Sequence, residues 1–163
     1  GIEFKILHTT GHSPAHICIT TPDDVAYIGD ALISHEVMNG SKMPYAYMLT
    51  EDLKSKATLY DLKCCKYIVA HRGTYNEITG LITDNINFYK NRAKAIYTLI
   101  VGAMTMQDIL KTVIENFNIN IGNIYKYTLI ERMLRSYVEY LNETGLIVLN
   151  MDNGFLKYSK VNV

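Results

Sequence analysis

The 163-residue sequence has few cysteines, no excess charge of either sign and no apolar run long enough to cross a bilayer. Three cysteines, two of them adjacent at Cys64 and Cys65, do not make a disulfide framework, so we expect reduced thiols in a cytoplasmic protein. Sixteen basic residues balance sixteen acidic ones, which gives no electrostatic reason to expect DNA or an anionic membrane as a partner. A membrane span needs roughly 18 consecutive apolar residues. These absences indicate a globular protein without a membrane partner.

Three residues at the ends of strand-like runs are the candidate metal ligands. His12 lies in the turn HTTGHSPAH, Asp30 ends the run VAYIGD, and His71 ends the run YIVAH. Imidazole nitrogens and carboxylate oxygens are ligands that suit zinc, iron or manganese. The pattern therefore indicates a metal site built at the ends of neighbouring strands.

Each candidate also has a simpler interpretation. His12 could be a turn histidine that hydrogen-bonds to the backbone, and Asp30 could cap the turn after its strand. We interpret His8 and His16 as structural residues of the same turn, with His16 donating to backbone carbonyls, and His35 as a loop histidine. The metal interpretation depends on His12 and Asp30 occurring together.

Hydrophobic periodicity divides the chain into two parts. In the first part, the alternation of apolar and polar residues predicts strands over residues 2–6, 16–20, 25–28 and 66–70. A helix is expected from Thr50, as its N-cap, to about Leu62, after a loop from Ser34 to Leu49. Strand, helix, strand is the pattern of an α/β layer.

The second part is mainly helical. Apolar spacing predicts helices from Thr83 or Asp84 through Ile100, after Thr105, and over residues 124–141. The triplet Asp152-Asn153-Gly154 between two apolar runs predicts a hairpin. Helix, helix, hairpin is the order of a small winged-helix domain. From residue 103 onward the sequence has six basic and six acidic residues, so this part carries no net positive charge and duplex DNA is not the expected partner. We favour a docking or dimerisation element.

The ordered set of His12 turn, Gly-Asp and strand-end histidine resembles the C-terminal half of a metallo-β-lactamase-superfamily hydrolase. Two details depart from that family pattern, since Thr10 stands where Pro is usual and Arg72 where Gly is usual. The family's His-x-His-x-Asp-His signature does not occur in the 163 residues. We therefore interpret the sequence, which begins Gly-Ile-Glu without Met, as part of a longer protein.

The resemblance implies both a fold and a site. The fold is α/β, with half of an αββα sandwich in residues 1–80 and a mainly helical, winged-helix-like domain in residues 81–163, as in the glyoxalase II-like and β-lactamase-like branch. The intact family site holds two metals, usually zinc. By resemblance, His12 would bind one ion, His71 the other, and Asp30 would bridge them.

The implied function is metal-dependent hydrolysis of a thioester, lactam, lactone or phosphodiester, so the parent protein would act on a small-molecule or nucleic-acid ester. Because the remaining ligands are missing, we expect this chain alone to bind metal weakly or not at all and to be inactive. We also expect a homo-oligomer, since half a sandwich leaves apolar strand surface exposed. The alternative is a non-enzymatic winged-helix binding or scaffold module.

Overall fold

A computed structural model describes residues 1–152 and 154–161 of the chain. The chain forms two compact units, Gly1–Tyr89 and Lys90–Val163. The boundary falls inside a helix, Thr79–Leu99, whereas the sequence pattern placed a domain boundary between residues 80 and 81. That earlier boundary stays a prediction.

The first unit is built on a five-stranded mixed sheet. Its strands are β1 (Lys5–His8), β2 (Ile17–Thr20), β3 (Val25–Gly29), β4 (Lys66–Val69) and β5 (Thr74–Tyr75), paired in the order β1-β2-β3-β4-β5. Strands β3 and β4 are parallel, with Gly29 opposite Val69, and the other pairs are antiparallel. Because parallel strands end at the same edge, the residues that follow β3 and β4 lie close together.

The predicted strands β2, β3 and β4 are confirmed, but the first strand was placed wrongly. It begins at Lys5 rather than at Ile2, because its register with β2 pairs Lys5 with Thr20 and His8 with Ile17. The hydrogen bond from the Thr9 amide to the His16 carbonyl closes this pairing at the turn. Strand β5 was not predicted, since two residues give no periodicity.

Three helices accompany the sheet in sequence. Helix α1 (His35–Gly40) begins at Ser34, whose hydroxyl accepts a hydrogen bond from the Val37 amide, and occupies part of the stretch predicted as a loop. Helix α2 (Leu49–Thr58) starts after Met48, not after Thr50, and continues into a 3₁₀ turn, Leu59–Asp61. Helix α3 (Thr79–Leu99) begins four residues before Thr83, the earlier of the two predicted starts.

The second unit follows the predicted order of two helices and a hairpin. Helix α4 (Met106–Asn116) has the expected N-cap, Thr105, which forms a reciprocal capping box with Asp108. Helix α5 spans Ile124–Glu143, and strands β6 (Ile147–Asp152) and β7 (Phe155–Lys160) pair antiparallel. Asn153 of the predicted turn lies outside the described residues. Among the described residues, no helix combines the length and the hydropathy that a bilayer-spanning helix requires.

Buried apolar side chains surround the segments that lead to the candidate ligands in sequence. Ala26, Ile28 and Leu32, on and just after β3, are fully buried, as are Leu49 on α2 and Ile82 on α3. Burying one such leucine or isoleucine stabilises the fold by about 1.5–3 kcal/mol. The segments that carry the candidate ligands are therefore anchored by packed side chains.

Candidate functional site

The carboxylate of Asp30 lies between the imidazoles of His12 and His71. His12 Nε2 is 3.7 Å from Asp30 Oδ2, and His71 Nε2 is 3.2 Å from Asp30 Oδ1. Each oxygen of the carboxylate thus faces a different histidine. The structure brings together the three residues that the sequence singled out, although they are 18 and 41 positions apart along the chain.

Both spacings are close to the separation expected of two ligands on one metal ion. Two ligands placed about 2.1 Å from a tetrahedral zinc ion are separated by about 3.4 Å. The observed nitrogen–oxygen distances of 3.7 and 3.2 Å lie on either side of that value. The donor set, two imidazole nitrogens and a carboxylate that faces both, therefore suits a pair of divalent ions bridged by the acid.

No single point gathers more than two of these donors. Across residues 1–152 and 154–161, no three His, Cys, Asp or Glu side chains form a group that could hold one metal ion. This agrees with the geometry around Asp30, in which His12 and His71 approach different oxygens. Within the described ranges, His12 and His71 thus each face a different oxygen of Asp30.

Gly29 and His16 together fix the position of Asp30. Gly29 has a left-handed backbone, with φ of +59°, and a Cβ at this residue would stand 2.9 Å from His16 Nε2. The close approach lets His16 Nε2 accept a hydrogen bond of 3.1 Å from the Asp30 amide. The Gly-Asp pair therefore has a physical reason, since only glycine admits the imidazole that holds the aspartate backbone.

His16 belongs to a directed chain of hydrogen bonds. Since its Nε2 accepts from an amide, its Nδ1 carries the proton and donates to the Thr9 hydroxyl at 2.8 Å. The Thr9 hydroxyl then donates to Cys18 Sγ at 3.4 Å, and the thiol donates to the Ile28 carbonyl at 3.3 Å. Burial lowers the pKa of His16, which favours this neutral state.

The structural role expected for His16 is therefore present, but the predicted hydrogen bonds were wrong. The ring accepts from a backbone amide and donates to a hydroxyl, whereas donation to backbone carbonyls was predicted. His8, expected to support the same turn, is an exposed residue of β1. The turn is held by His16 and by helix α2 instead.

Helix α2 packs directly on the backbone beside His12. Gly11, with φ of +131°, lies so close to α2 that a Cβ there would come within 2.1 Å of the Asp52 backbone. The Gly11 carbonyl accepts hydrogen bonds of 2.9 Å from the amides of Tyr47 and Met48. Ser55 Oγ donates to the Thr10 carbonyl at 2.6 Å. The segment before His12 is thus fixed by helix α2 and by the two residues that precede it.

A buried ion pair on α2, which the sequence analysis did not single out, lies beneath this turn. The side chains of Asp52 and Lys56 are only 2 % and 1 % exposed, and Lys56 Nζ donates to Asp52 Oδ2. Lys56 Nζ also sits 4.4 Å from the centre of the Tyr89 ring, and the Tyr89 hydroxyl donates to the Tyr45 carbonyl. The available signal was the i,i+4 spacing of opposite charges, which is typical of exposed helix faces.

His12 is half-buried, in surroundings that favour its neutral form. Burial lowers the pKa of its imidazole, and the nearby carboxylates of Asp30 and Asp52 only partly offset that effect. Its ring packs edge-on against Tyr45, with 4.9 Å between ring centres. A neutral, oriented imidazole is the form in which histidine binds metals.

His71 is held by an unusual backbone conformation. Both His71, with φ of 54°, and Arg72, with φ of 76°, are left-handed although neither is glycine. Its carbonyl accepts a hydrogen bond from Ser34 Oγ at 3.5 Å, next to α1. The imidazole itself is 72 % exposed, so it borders solvent on the open side of Asp30.

Two other groups that the sequence raised lie outside this arrangement. His35, expected on a loop, begins α1 and pairs with Asp84 of α3 at 2.8 Å. Cys65 lies beside Asp24 at the opposite ends of β3 and β4. There its Sγ donates a hydrogen bond of 3.1 Å to the Asp24 carbonyl. All three cysteines are free thiols, as expected.

Comparison with known proteins shows a likeness of structure. No model of a known protein family matches the sequence, and no curated protein matches it. The crystal structure of a metallo-β-lactamase family protein from Thermus thermophilus superposes with a TM-score of 0.72 at 20 % identity, covering 99 % of this chain and 50 % of that one. A β-lactamase domain protein from Burkholderia ambifaria gives a TM-score of 0.68 at 15 % identity, covering 97 % and 47 %.

The chain thus spans about half the length of the two structures that it matches. The mixed sheet with its helices is the α/β architecture that the sequence predicted at the level of fold class. At such identities the likeness concerns the fold and not the chemistry. The chain has the fold of part of a metallo-β-lactamase family structure.

Proposed function

We propose that this chain supplies part of the two-metal site of a zinc-dependent hydrolase of the metallo-β-lactamase superfamily. In this proposal His12 and His71 bind two different ions and Asp30 bridges them. The observation that carries it is the Asp30 carboxylate, whose oxygens each face one imidazole at 3.7 and 3.2 Å. The shared fold supports the same assignment.

The chemistry implied is hydrolysis by an activated water. A zinc pair at Asp30 would lower the pKa of a bound water toward neutral and polarise the oxygen of the scissile carbonyl or phosphoryl group. The chain's own residues would present the imidazoles of His12 and His71, keep Asp30 in place through His16, and leave the His71 side open for substrate. The substrate class we propose is an ester-like bond, namely a thioester, lactam, lactone or phosphodiester of a small molecule or nucleic acid.

This polypeptide by itself is proposed to be an incomplete hydrolase. Each ion would have one histidine and one shared carboxylate, whereas catalytic zinc normally has three protein ligands. We therefore expect weak zinc binding and no turnover from these residues alone. Completing either shell requires ligands that the 163-residue sequence does not contain.

The second unit is proposed to be a winged-helix-like docking element, of the kind found in the glyoxalase II-like and β-lactamase-like branch. In its hairpin, Ile147 and Tyr158 are buried, whereas Met151 and Phe155 are 68 % and 67 % exposed. An exposed apolar hairpin with balanced charge nearby suits contact with protein better than contact with DNA. The exposed hairpin also favours the second candidate function, a non-enzymatic scaffold. Under both candidate functions we propose that the protein forms a homo-oligomer.

Zinc titration by calorimetry tests the proposed site. We expect wild-type binding weaker than micromolar, and removal of Asp30, His12 or His71 by alanine should weaken it by about tenfold or more. The matched controls are His8→Ala, in exposed β1, and His35→Ala, whose imidazole pairs with Asp84. Equal losses in the controls would contradict the assignment, and submicromolar zinc binding with hydrolytic turnover would contradict the incomplete site.

A further inference from the structure

Arg72 is a permanently charged residue placed directly beside the candidate ligands. It follows His71 in the chain, and its guanidinium is 79 % exposed. The contact seen for it in the described part of the chain is with α1, where Nη1 lies 2.5 Å from Glu36 Oε1. The other edge of the guanidinium, with Nη2 and Nε, is left open to solvent.

Neither the backbone nor the contacts of Arg72 indicate that the arginine stabilises the fold. The backbone there is left-handed, with φ of 76°, which glycine adopts readily and a residue with a Cβ does not. The ion pair with Glu36 joins two exposed side chains, at 79 % and 64 %, and such pairs contribute little to stability. Non-glycine residues held in this conformation concentrate at functional sites.

The guanidinium has a specific chemical use beside a hydrolytic site. Its planar fork of donors matches the two oxygens of a carboxylate or a phosphate. The carboxylates of Asp30, which faces His71, and of Glu36, which Arg72 contacts, are negative, so Arg72 is the residue of this group that attracts an anion. A carboxylate oxygen of Glu36 already bonds to Nη1 of the Arg72 guanidinium, so the guanidinium is placed where it can bind a carboxylate.

We propose that Arg72 is a specificity-determining residue that binds an oxyanion, a carboxylate or a phosphate, of the substrate. The proposal rests on the proposed function, because it assumes that the scissile bond is held at His12, Asp30 and His71. Glu36 then competes with the substrate anion for the guanidinium. Neutral esters gain nothing from this contact, so Arg72 selects anionic ones.

Binding of small anions to the metal-free chain tests this inference directly. The probes are succinate, inorganic phosphate and neutral succinamide, followed through the backbone amide resonances of residues 71–73 in every variant and through the Arg72 Nε–H where the arginine is present. We expect saturable shifts with succinate or phosphate and none with succinamide, with stronger binding in Glu36→Gln and none in Arg72→Gln. A stronger response to succinate would identify a carboxylate-bearing substrate, and a stronger response to phosphate a phosphate ester. Equal shifts with succinamide, or no saturation with either anion, would overturn the proposal.

Thermal unfolding provides the second measurement. Arg72→Gly should leave the Tm unchanged or raise it, as should the matched control Asp24→Gly, which relieves a left-handed residue (φ of 63°) at the opposite ends of the strands. A Tm that falls in Arg72→Gly alone would show that the arginine serves the fold and would overturn the inference. Zinc titration of the same variants separates the two proposals. Arg72→Gly should retain the wild-type response to zinc, whereas anion binding combined with zinc binding that alanine at His12, Asp30 and His71 leaves unchanged refutes the proposed function alone.

Discussion

The buried pair of Asp52 and Lys56 allows a quantitative test of what supports the His12 turn. Replacing Lys56 by Met keeps the length of the side chain but leaves the Asp52 carboxylate, 2 % exposed, without its cation. Removal of one partner of a buried pair typically costs about 3–5 kcal/mol. Domains of this kind are stable by about 5–15 kcal/mol, so Lys56→Met should be folded but strongly destabilised at pH 7.

The pH dependence of that loss follows from the carboxyl group. Burial already raises the pKa of Asp52, and removing Lys56 raises it further. With the folded pKa above the unfolded value of about 3.9, the folded state binds the proton more readily. The stability of Lys56→Met should therefore rise as the pH falls from 7 through the folded pKa toward about 4.

Urea denaturation at several pH values measures both effects. The double variant Asp52→Leu/Lys56→Met, which has no buried charge at this site, should recover most of the stability and lose the pH dependence. Amide exchange at Tyr47 and Met48, which donate to the Gly11 carbonyl, should report loosening of the turn in the single variant. A loss below about 1 kcal/mol without pH dependence would show that water or another group solvates Asp52, and the reasoning would be refuted.

Two further predictions concern glycine and capping. Gly29→Ala places a Cβ 2.9 Å from His16 Nε2 at a residue with φ of +59°. The free energy of unfolding should therefore fall by about 1–3 kcal/mol, and zinc affinity should fall with it. The control is Gly80→Ala, which has open space around the new Cβ. Thr105→Ala removes the capping box of α4 and should cost about 0.5–2 kcal/mol in thermal denaturation. Thr112→Ala, within the same helix, should cost less, and equal losses would contradict the capping argument.

The sequence was sufficient to predict that His12, Asp30 and His71 converge. Each follows or joins a strand whose apolar pattern is unambiguous, and β2, β3 and β4 appear where that pattern placed them. The parallel pairing of β3 with β4 then brings Asp30 and His71 to one edge. Local periodicity placed the strands, whereas the meeting of their ends was implied by the resemblance to a known family rather than by periodicity.

Features set by tertiary contact could not be predicted in this way. Helix α1 forms in a stretch where Asn39, Gly40 and Pro44 indicated a loop, and the segment before it is held by Asn85, whose amide bonds to both the amide and the carbonyl of Ile33. Helix α2 begins at Leu49 because Met48 and Tyr47 donate to Gly11, although Thr50 has the better capping side chain. In both cases a partner distant in sequence overrides the local signal.

The three candidate ligands are positioned by two independent parts of the structure. One turn carries both His12 and His16, and His16 holds the Asp30 amide, so a change in that turn displaces two ligands at once. His71 depends instead on the end of β4 and on its own left-handed backbone. A substitution beside His71 therefore leaves the relation of His12 to Asp30 intact. The left-handed backbone at Arg72 therefore bears on one candidate ligand only, and the charge of Arg72 is exposed to solvent.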